Sequence, residues 1–394
     1  MTTVRFKGDT QNSFFGTFLY AQILPKEHFL VKAKDAIPWE RFTVKLLRHY
    51  KGGGEYGRAA YEPAKMLRML LLSYLYNISE RDTEEFVTLN LAGKYFVGLG
   101  ADEPAPDHSS LTTFKERIIG AVGIKGYEAI FNELLRIAME KGIVFGQIHT
   151  VDSVHTIANV NLPKDTFRRE KEGRQSRDPD ARWGVKKVRK IKQEDGSVKE
   201  VKDSFYGYKT HVSQDTDSGL VTALTVTSGE AADGGQFQPV VNKDRKLGIA
   251  QGGTIEKKPD TGAVVEGTAY TADKAYDDGE NHTFLEARGL SSAIILKDTR
   301  TTSKQEGNNA YWHSFKDRDI YKRATALRYR AEQPFGIAKR CHGFTRARYL
   351  GKTNMAIQSY LTFMAINLKT IIKAMTGIGF RGSLAYAAVP IRGG

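Results

Sequence analysis

The stretch QIHTVDSVHTIANV, residues 147–160, decides the fold class. It is rich in Val, Ile and Thr, whose branched β-carbons suit a pleated strand better than a helix. Outward from it, FYGYKTHVSQ (205–214) and GLVTALTVTS (219–228) read as two further strands, joined by the turn residues DTDSG (215–219). GTAYTADKAY (267–276) reads as a fourth strand and SSAIILKD (291–298) as a fifth. A helix begins near Gly235, and another runs from Gly279 to about Arg288. A last long helix is expected from about Tyr321 past Lys339, with Pro334 placing a kink just after Glu332. Three early strands followed by strands alternating with helices predict an α/β domain, a mixed five-stranded sheet flanked by helices.

The first third of the chain carries helical patterns instead. Pro63 suits the first turn of a helix over AKMLRMLLLSYLY (64–76). Ser79 with Asp82 has the spacing of a capping box that opens a helix over ERDTEEFVTLNLAGKYF (80–96). Shorter helical patterns cover Ser110–Ile118 and Tyr127–Glu140. Two readings fit this outline, a helix-turn-helix reader of DNA and a plain packing bundle, with the bundle slightly ahead because any bundle of helices produces it. The domains expected are a helical one over 1–145, a sheet domain over 146–350 with a basic insertion at about 161–204, and a C-terminal helix and tail over 351–394. Within the insertion, VRKIKQEDGSVKEV (188–201) alternates around Asp195-Gly196 like a charged β-hairpin. Its lysines either follow a phosphate backbone or keep an exposed hairpin soluble. Trp183 either stacks on a base or anchors its own loop.

The chain of 394 residues is 40% hydrophobic, enough for a sizeable core, and carries a net charge of +14. Such an excess favours polyanionic partners, nucleic acid above all. The single cysteine, Cys341, excludes an internal disulfide and a paired-cysteine zinc site, and fits a reducing cytoplasm. The N-terminal MTTVRFKGDTQNSFFG lacks a signal-peptide core, and the apolar segment Met355–Met375 is interrupted by Gln358, Asn367, Lys369 and Lys373. No membrane partner is expected.

Two aspartates stand in or at the end of the strand runs: Asp152 in IHTVDSVHT and Asp273 in AYTADKAYDD. A third acid, Glu332, lies in RYRAEQPFGIAKR (328–340), four residues after Arg328 and seven before Lys339. On one helix that spacing aligns a cation, a carboxylate and a cation along a stripe. Three carboxylates from separate segments can hold two hard divalent ions about 3.5–4 Å apart, one activating the attacking oxygen and one stabilising the leaving oxygen of a phosphodiester. Neighbouring cations suit a phosphate substrate. Singly, each acid has a plainer reading: a turn-forming Asp at a strand end, or a surface Glu paired with Arg328 for a few tenths of a kcal/mol, roughly. The combination points to a metal-dependent enzyme that cuts and rejoins DNA.

These blocks, in this order, resemble the bacterial insertion-sequence transposases of the DDE type, which have an RNase H-like catalytic domain. VDSVHTIAN and ADKAYDDGEN resemble the first and second acidic blocks of that family. The third reads Tyr, two residues, Arg, three residues, Glu, six residues, Lys, which Arg328, Glu332 and Lys339 match while Thr325 occupies the tyrosine position. YEPAKMLRMLLLSYLYNISERDTEEF and PDHSSLTTFKERI resemble the helical domain that precedes the core, so the likeness extends from about Phe14 to Lys352. The resemblance implies catalytic and metal-binding roles for Asp152, Asp273 and Glu332 and two Mg²⁺ ions, with Mn²⁺ substituting. It implies DNA contacts by Arg328 and Lys339. It further implies an N-terminal domain that binds element ends, double-stranded DNA partners (terminal inverted repeats and target), a dimer on DNA, and action in the bacterial cytoplasm at the nucleoid. A structure-selective nuclease and a domesticated DNA-binding protein are the alternatives.

Arg346 and Arg348 in FTRARYLGK are expected phosphate contacts without base specificity, and Lys209 on the second strand points toward DNA or simply alternates outward. His149 and His155, at odd offsets from Asp152, face away from it. Asp233, after the third strand, either lies near the sheet's active edge or, as the favoured reading, caps the following helix.

Overall fold

The computed structural model describes residues 6–7, 11, 14–47, 49–50, 59–192, 198–258, 262–265, 267–301 and 306–381. The chain divides into two compact units, Met1–Ile143 with Tyr360–Gly394, and Val144–Ser359.

The first unit holds α1 (Phe14–Ile23), α2 (Phe29–Ala36), α3 (Glu40–Leu47), α4 (Pro63–Leu75), α5 (Glu80–Leu89), α6 (Leu91–Val97), α7 (His108–Val122) and α8 (Lys125–Glu140). Pro63 occupies the first turn of α4, where a missing N–H leaves no bond unmade. Every residue of α4 is buried, so this apolar helix is the unit's centre. Each fully enclosed leucine on it (Leu67, Leu70, Leu71, Leu72) contributes roughly 1.5–3 kcal/mol. The capping box of Ser79 and Asp82 forms as expected. The single helix expected over 80–96 is two, because Asn90 is extended and its Oδ1 accepts from the Gly93 N–H (2.8 Å), which restarts the helix as α6.

The second unit holds β1 (Ile148–Ile157), α9 (Leu162–Lys171), β2 (Arg182–Lys192), β3 (Val198–Asp215), β4 (Val221–Ser228), α10 (Phe237–Leu247), β5 (Ile255–Lys258), β6 (Gly262–Val265), β7 (Ala269–Ala272), α11 (Gly279–Glu286), β8 (Ser291–Ser292), α12 (Asp298–Thr301), α13 (Glu306–Asp317), α14 (Asp319–Leu327) and α15 (Glu332–Cys341). A further helix, α16 (Lys352–Thr376), follows. From one edge the main sheet runs β4, β3, β1, β7, β8, with β2 beside the first half of β3. β1, β3 and β4 pair antiparallel, whereas β1, β7 and β8 pair parallel. These five are the strands read from the sequence, in the order 3-2-1-4-5 of an RNase H-like sheet. The basic insertion joins it as a sixth strand, β2, while the Asp195-Gly196 turn lies outside the described residues. β8 is shorter than expected, although Ala293 and Ile295 still donate to Tyr270 and Ala272 of β7.

Both faces of this sheet are covered. Val151, Tyr270 and Ala272 pack with Phe237, Val240 and Val241 of α10 and Phe284 and Leu285 of α11. Ile148 and Ala269 pack with Trp312 and Phe315 of α13 and Tyr321 and Ala324 of α14. Since side chains alternate along a strand, Asp152 belongs to the face of Ile148, and Asp273 to the face of Ala269. At Gly207 on β3 a β-carbon would stand 2.1 Å from the Thr156 carbonyl oxygen of β1, so only glycine permits this approach.

The expected continuous helix from Tyr321 past Lys339 is broken. α14 stops at Leu327, Arg328–Ala331 form one 3₁₀ turn, and α15 begins at Glu332. Pro334 is the cause: its ring excludes the carbonyl four residues back, at Arg330, and it has no N–H to give. Arg328 therefore does not share one helical stripe with Glu332 and Lys339. Among the described residues no helix is long and apolar enough to cross a membrane.

Candidate active site

Asp152 and Asp273 are brought together by strand register. In the parallel β1–β7 pair Val151 stands opposite Ala272, so the next residues, Asp152 and Asp273, are neighbours with side chains on one face. Asp273 leaves the strand in extended geometry, and its Oδ1 accepts from the Ala275 N–H (2.9 Å), which fixes the carboxylate. The Asp152 Oδ1 accepts from its neighbour Ser153 N–H (2.7 Å). The 3₁₀ turn forced by Pro334 delivers Arg328 over both. Its Nη2 lies 3.0 Å from Asp152 Oδ2 and 3.8 Å from Asp273 Oδ2, and its Nη1 lies 3.6 Å from Glu332 Oε1. All three acids expected from the sequence thus converge on one guanidinium. They form a gradient of exposure: the side chain is 14% exposed for Asp152, 41% for Asp273 and 73% for Glu332. The site is therefore open to a large ligand on the Glu332 side.

Burial drives the Asp152 carboxyl up to about 6; Asp273 and Asp233 push the same way, while Arg328 and the Ser153 N–H pull against it. Such a group needs a cation to stay ionised. Burial, with the charges of Asp233, Asp152 and Asp273, also holds the Tyr276 phenol well above its usual range, so it stays neutral.

Asp233 does not take the favoured capping role, but it does lie near enough to the acids for its charge to act on Asp152. It makes no side-chain cap. Its Oδ1 instead accepts from Lys209 Nζ (3.0 Å), which also donates to the Ala231 carbonyl (2.9 Å), and lies 3.8 Å from His211 Nδ1. Lys209, expected to face DNA, spends its ammonium inside the protein. Burial pushes His211 down to about 4, so it is neutral and hydrogen-bonds Thr227 Oγ1 (2.9 Å). No signal in the sequence marked the Asp233–Lys209 pair, because the partners come from a loop and a strand.

The loop after Asp273 is braced from beneath. Asp277 accepts from the Lys297 N–H (2.7 Å), Arg300 Nε (2.6 Å) and His282 Nε2 (2.9 Å), and His282 Nδ1 meets the Ser292 hydroxyl (2.8 Å). Burial would raise this carboxyl, but His282, the Lys297 N–H and Arg300 outweigh it and hold it below the usual range. The order Ser-His-Asp is that of a hydrolase triad, yet all three residues are buried, and the cluster is scaffold.

The remaining cations divide. Lys339 is half-buried and has no carboxylate partner among the described residues; burial and the nearby Lys186 lower its pKa. Burial with Lys339, Lys186 and Lys209 pushes His155 down to about 4. Lys186 sits in the register shift between Val185 and Lys187, where a bulge turns a side chain out of the ladder. Arg346 bonds Asn159 Oδ1 (3.2 Å) and the Val160 carbonyl (3.1 Å), and the Arg348 N–H bonds Gln358 Oε1 (2.7 Å). His149 is enclosed between Asp215 and Asp244, each 3.8 Å away, and takes no part in the site. Trp183 is exposed, its ring 5.6 Å from that of Tyr206.

Carboxylate oxygens facing one shared cation are the donor chemistry that hard divalent ions take, although here the ligand atoms of Asp152, Asp273 and Glu332 are held apart around the guanidinium and do not all come within 4.8 Å of one another. A second acid–imidazole group, Glu84, Asp107 and His108, lies in the helical unit; there Glu84 accepts from the His108 N–H and Asp107 from the Ser109 N–H.

The family model described as a transposase DDE domain matches residues 166–368, just over half of the chain, and a transposase domain model named DUF772 matches residues 18–117. The first span contains Asp273 and Glu332 and begins after Asp152, which strand register and the shared Arg328 tie to the pair. Among solved structures, the chain is similar to piggyBac transposase in a synaptic complex with hairpin DNA, at 10% identity and TM-score 0.39, over 95% of this chain and 78% of that one. It is also similar to the Mos1 mariner paired-end complex with Mn, at 12% identity and TM-score 0.19, over 87% and 94%. Those likenesses are remote, and the family assignment rests on the two family models. The chain belongs to the DDE transposases of the insertion-sequence kind, enzymes that cleave DNA and transfer the cut strand with the help of divalent metal ions.

Proposed function

We propose that Asp152, Asp273 and Glu332 are the carboxylates that hold two divalent ions, Mg²⁺ in the cell with Mn²⁺ able to substitute. The observation that carries this assignment is the convergence of the three acids on the Arg328 guanidinium. When bound, the ions supply Lewis-acid stabilisation at a phosphodiester. The chain's own residues bind and orient the substrate. Arg328 and Lys339 engage the phosphates on either side of the scissile bond and offset the charge that gathers there. Arg346 and Arg348 follow the backbone further along. Lys209 acts indirectly, by holding Asp233 near the acids. The substrate is double-stranded DNA, the terminal inverted repeats of the element and then a target, and a net charge of +14 supports a polyanion of this kind. The helical domain reads the element ends, and two copies of the chain hold two ends together as a dimer. The enzyme acts at the bacterial nucleoid, in a reducing compartment that suits its lone Cys341.

Purified protein incubated with labelled element ends and Mg²⁺ tests this. Nicked ends carrying a 3′-hydroxyl and joined products are expected from the native enzyme, and neither from Asp152→Asn, Asp273→Asn or Glu332→Gln. Cleavage without joining points to a nuclease, and cleavage by any of the three variants removes that acid from the site.

A further inference from the structure

The Arg328 guanidinium occupies the centre of the acid cluster, and this has a consequence for the order in which ligands bind. The side chain is largely enclosed, its Nη2 faces Asp152 and Asp273, and its Nη1 faces Glu332. Its Nε is buried with no acceptor. A buried donor left unmatched is unfavourable, so this pose satisfies the acids better than it satisfies the arginine. The turn that carries Arg328 is a single 3₁₀ turn between two helices, a segment with room to redirect one side chain.

We infer that Arg328 is a positioning residue with two alternating partners: the three acids in the free enzyme and a DNA phosphate in the loaded one. This rests on the assignment of Asp152, Asp273 and Glu332 as metal ligands. A divalent ion entering among the acids meets a guanidinium already there, because two cations cannot share the same carboxylates at close range without strong repulsion. The guanidinium leaves only when another anion accepts it, and a phosphate offers its planar fork a bidentate match that replaces what it gives up. Metal and DNA therefore bind cooperatively, through exchange of one arginine. The enzyme stays poorly charged with metal until the correct phosphodiester arrives. By linkage, metal must raise DNA affinity by the factor by which DNA raises metal affinity.

Mn²⁺ binding to the full-length protein without DNA, followed by electron paramagnetic resonance of the free ion, tests this with no catalytic readout. Arg328→Gln is expected to bind Mn²⁺ about tenfold more tightly than the native chain, and Arg328→Lys, which keeps a charge, to stay within about threefold of it. A short duplex of the element end should tighten Mn²⁺ binding about tenfold or more in the native protein and by a clearly smaller factor in Arg328→Gln. Unchanged or weaker Mn²⁺ binding by a folded Arg328→Gln overturns the inference, as does equal coupling in both proteins. If Arg328→Gln fails to fold, Arg328→Lys decides: coupling to DNA must fall below the native value, since a point charge lacks the bidentate fork, and native coupling refutes the exchange. Asp152→Asn with Asp273→Asn separates the two levels. Mn²⁺ affinity untouched by that double change defeats the metal-ligand assignment itself, whereas affinity lost there but insensitive to Arg328 defeats only the exchange.

Discussion

Asp152→Asn should stabilise the metal-free protein at neutral pH even as it destroys the site. In the fold the carboxyl is driven chiefly by burial from 3.8 up to about 6. Its charged form is disfavoured by the fold, so the sign of the linkage is the reverse of that for a salt-bridged acid. Below the unfolded value of 3.8 the group is protonated in both states and carries no penalty. As pH rises from 3.8 towards 6, the unfolded chain gives up this proton while the folded one keeps it, so stability falls; above about 6 both states are ionised and the loss levels off. A shift of about two units at 1.36 kcal/mol each sets the loss near 3 kcal/mol, fully developed above pH 7. Asparagine has the same shape, stays neutral, and escapes that loss. For a domain of this size, about 2–4 °C in melting temperature per kcal/mol places the gain at roughly 6–12 °C as an upper bound, before any lost attraction to Arg328 is subtracted. Thermal unfolding in EDTA at pH 8 and at pH 4 measures it. The variant should melt higher at pH 8 and within about 2 °C of the native protein at pH 4. A variant that is less stable at pH 8, or equally shifted at both values, refutes the burial account of Asp152.

Glu332→Gln should leave stability unchanged, because the side chain is exposed and its pair with Arg328 is worth only tenths of a kcal/mol, roughly; cleavage should drop at least about a thousandfold, equivalent to roughly 4 kcal/mol in the transition state, by single-turnover assay. Lys339→Ala should weaken DNA binding and lower the slope of log affinity against log salt by about 1, and an unchanged slope makes this lysine structural. Gly207→Ala should destabilise the sheet unit by several kcal/mol, roughly, since its β-carbon would meet the Thr156 carbonyl, and native-like urea unfolding contradicts that close approach. Ca²⁺ in place of Mg²⁺ should support DNA binding without chemistry, and products formed in EDTA dismiss the metal requirement.

The strands were legible because each is a short run of branched and aromatic residues bounded by turn formers, and β1, β3, β4 and β7 lie where those runs lie. Ser79 and Asp82 were legible because a capping box is a local contact. The acids were legible as residues but not as neighbours. Nothing local to Asp152 or Asp273 states that β1 and β7 pair in parallel; that follows from the crossover topology. Pro334 was seen as a kink, yet its full effect, a 3₁₀ turn that aims Arg328 at three carboxylates, depends on packing around it. Asp233 and Lys209 were each read by local habit, as a cap and as an outward cation. Tertiary contact overrode both, because an ammonium within reach of a carboxylate and a carbonyl satisfies them better than solvent at a partly enclosed position.

Crystals of the protein with a duplex element end, soaked in Mn²⁺ and measured at the manganese edge, test most directly whether three distant acids make one metal centre. Anomalous peaks are predicted within coordinating distance of Asp152, Asp273 and Glu332, with Arg328 turned away onto a phosphate. Peaks only elsewhere, for instance at Glu84, Asp107 and His108, would contradict the account.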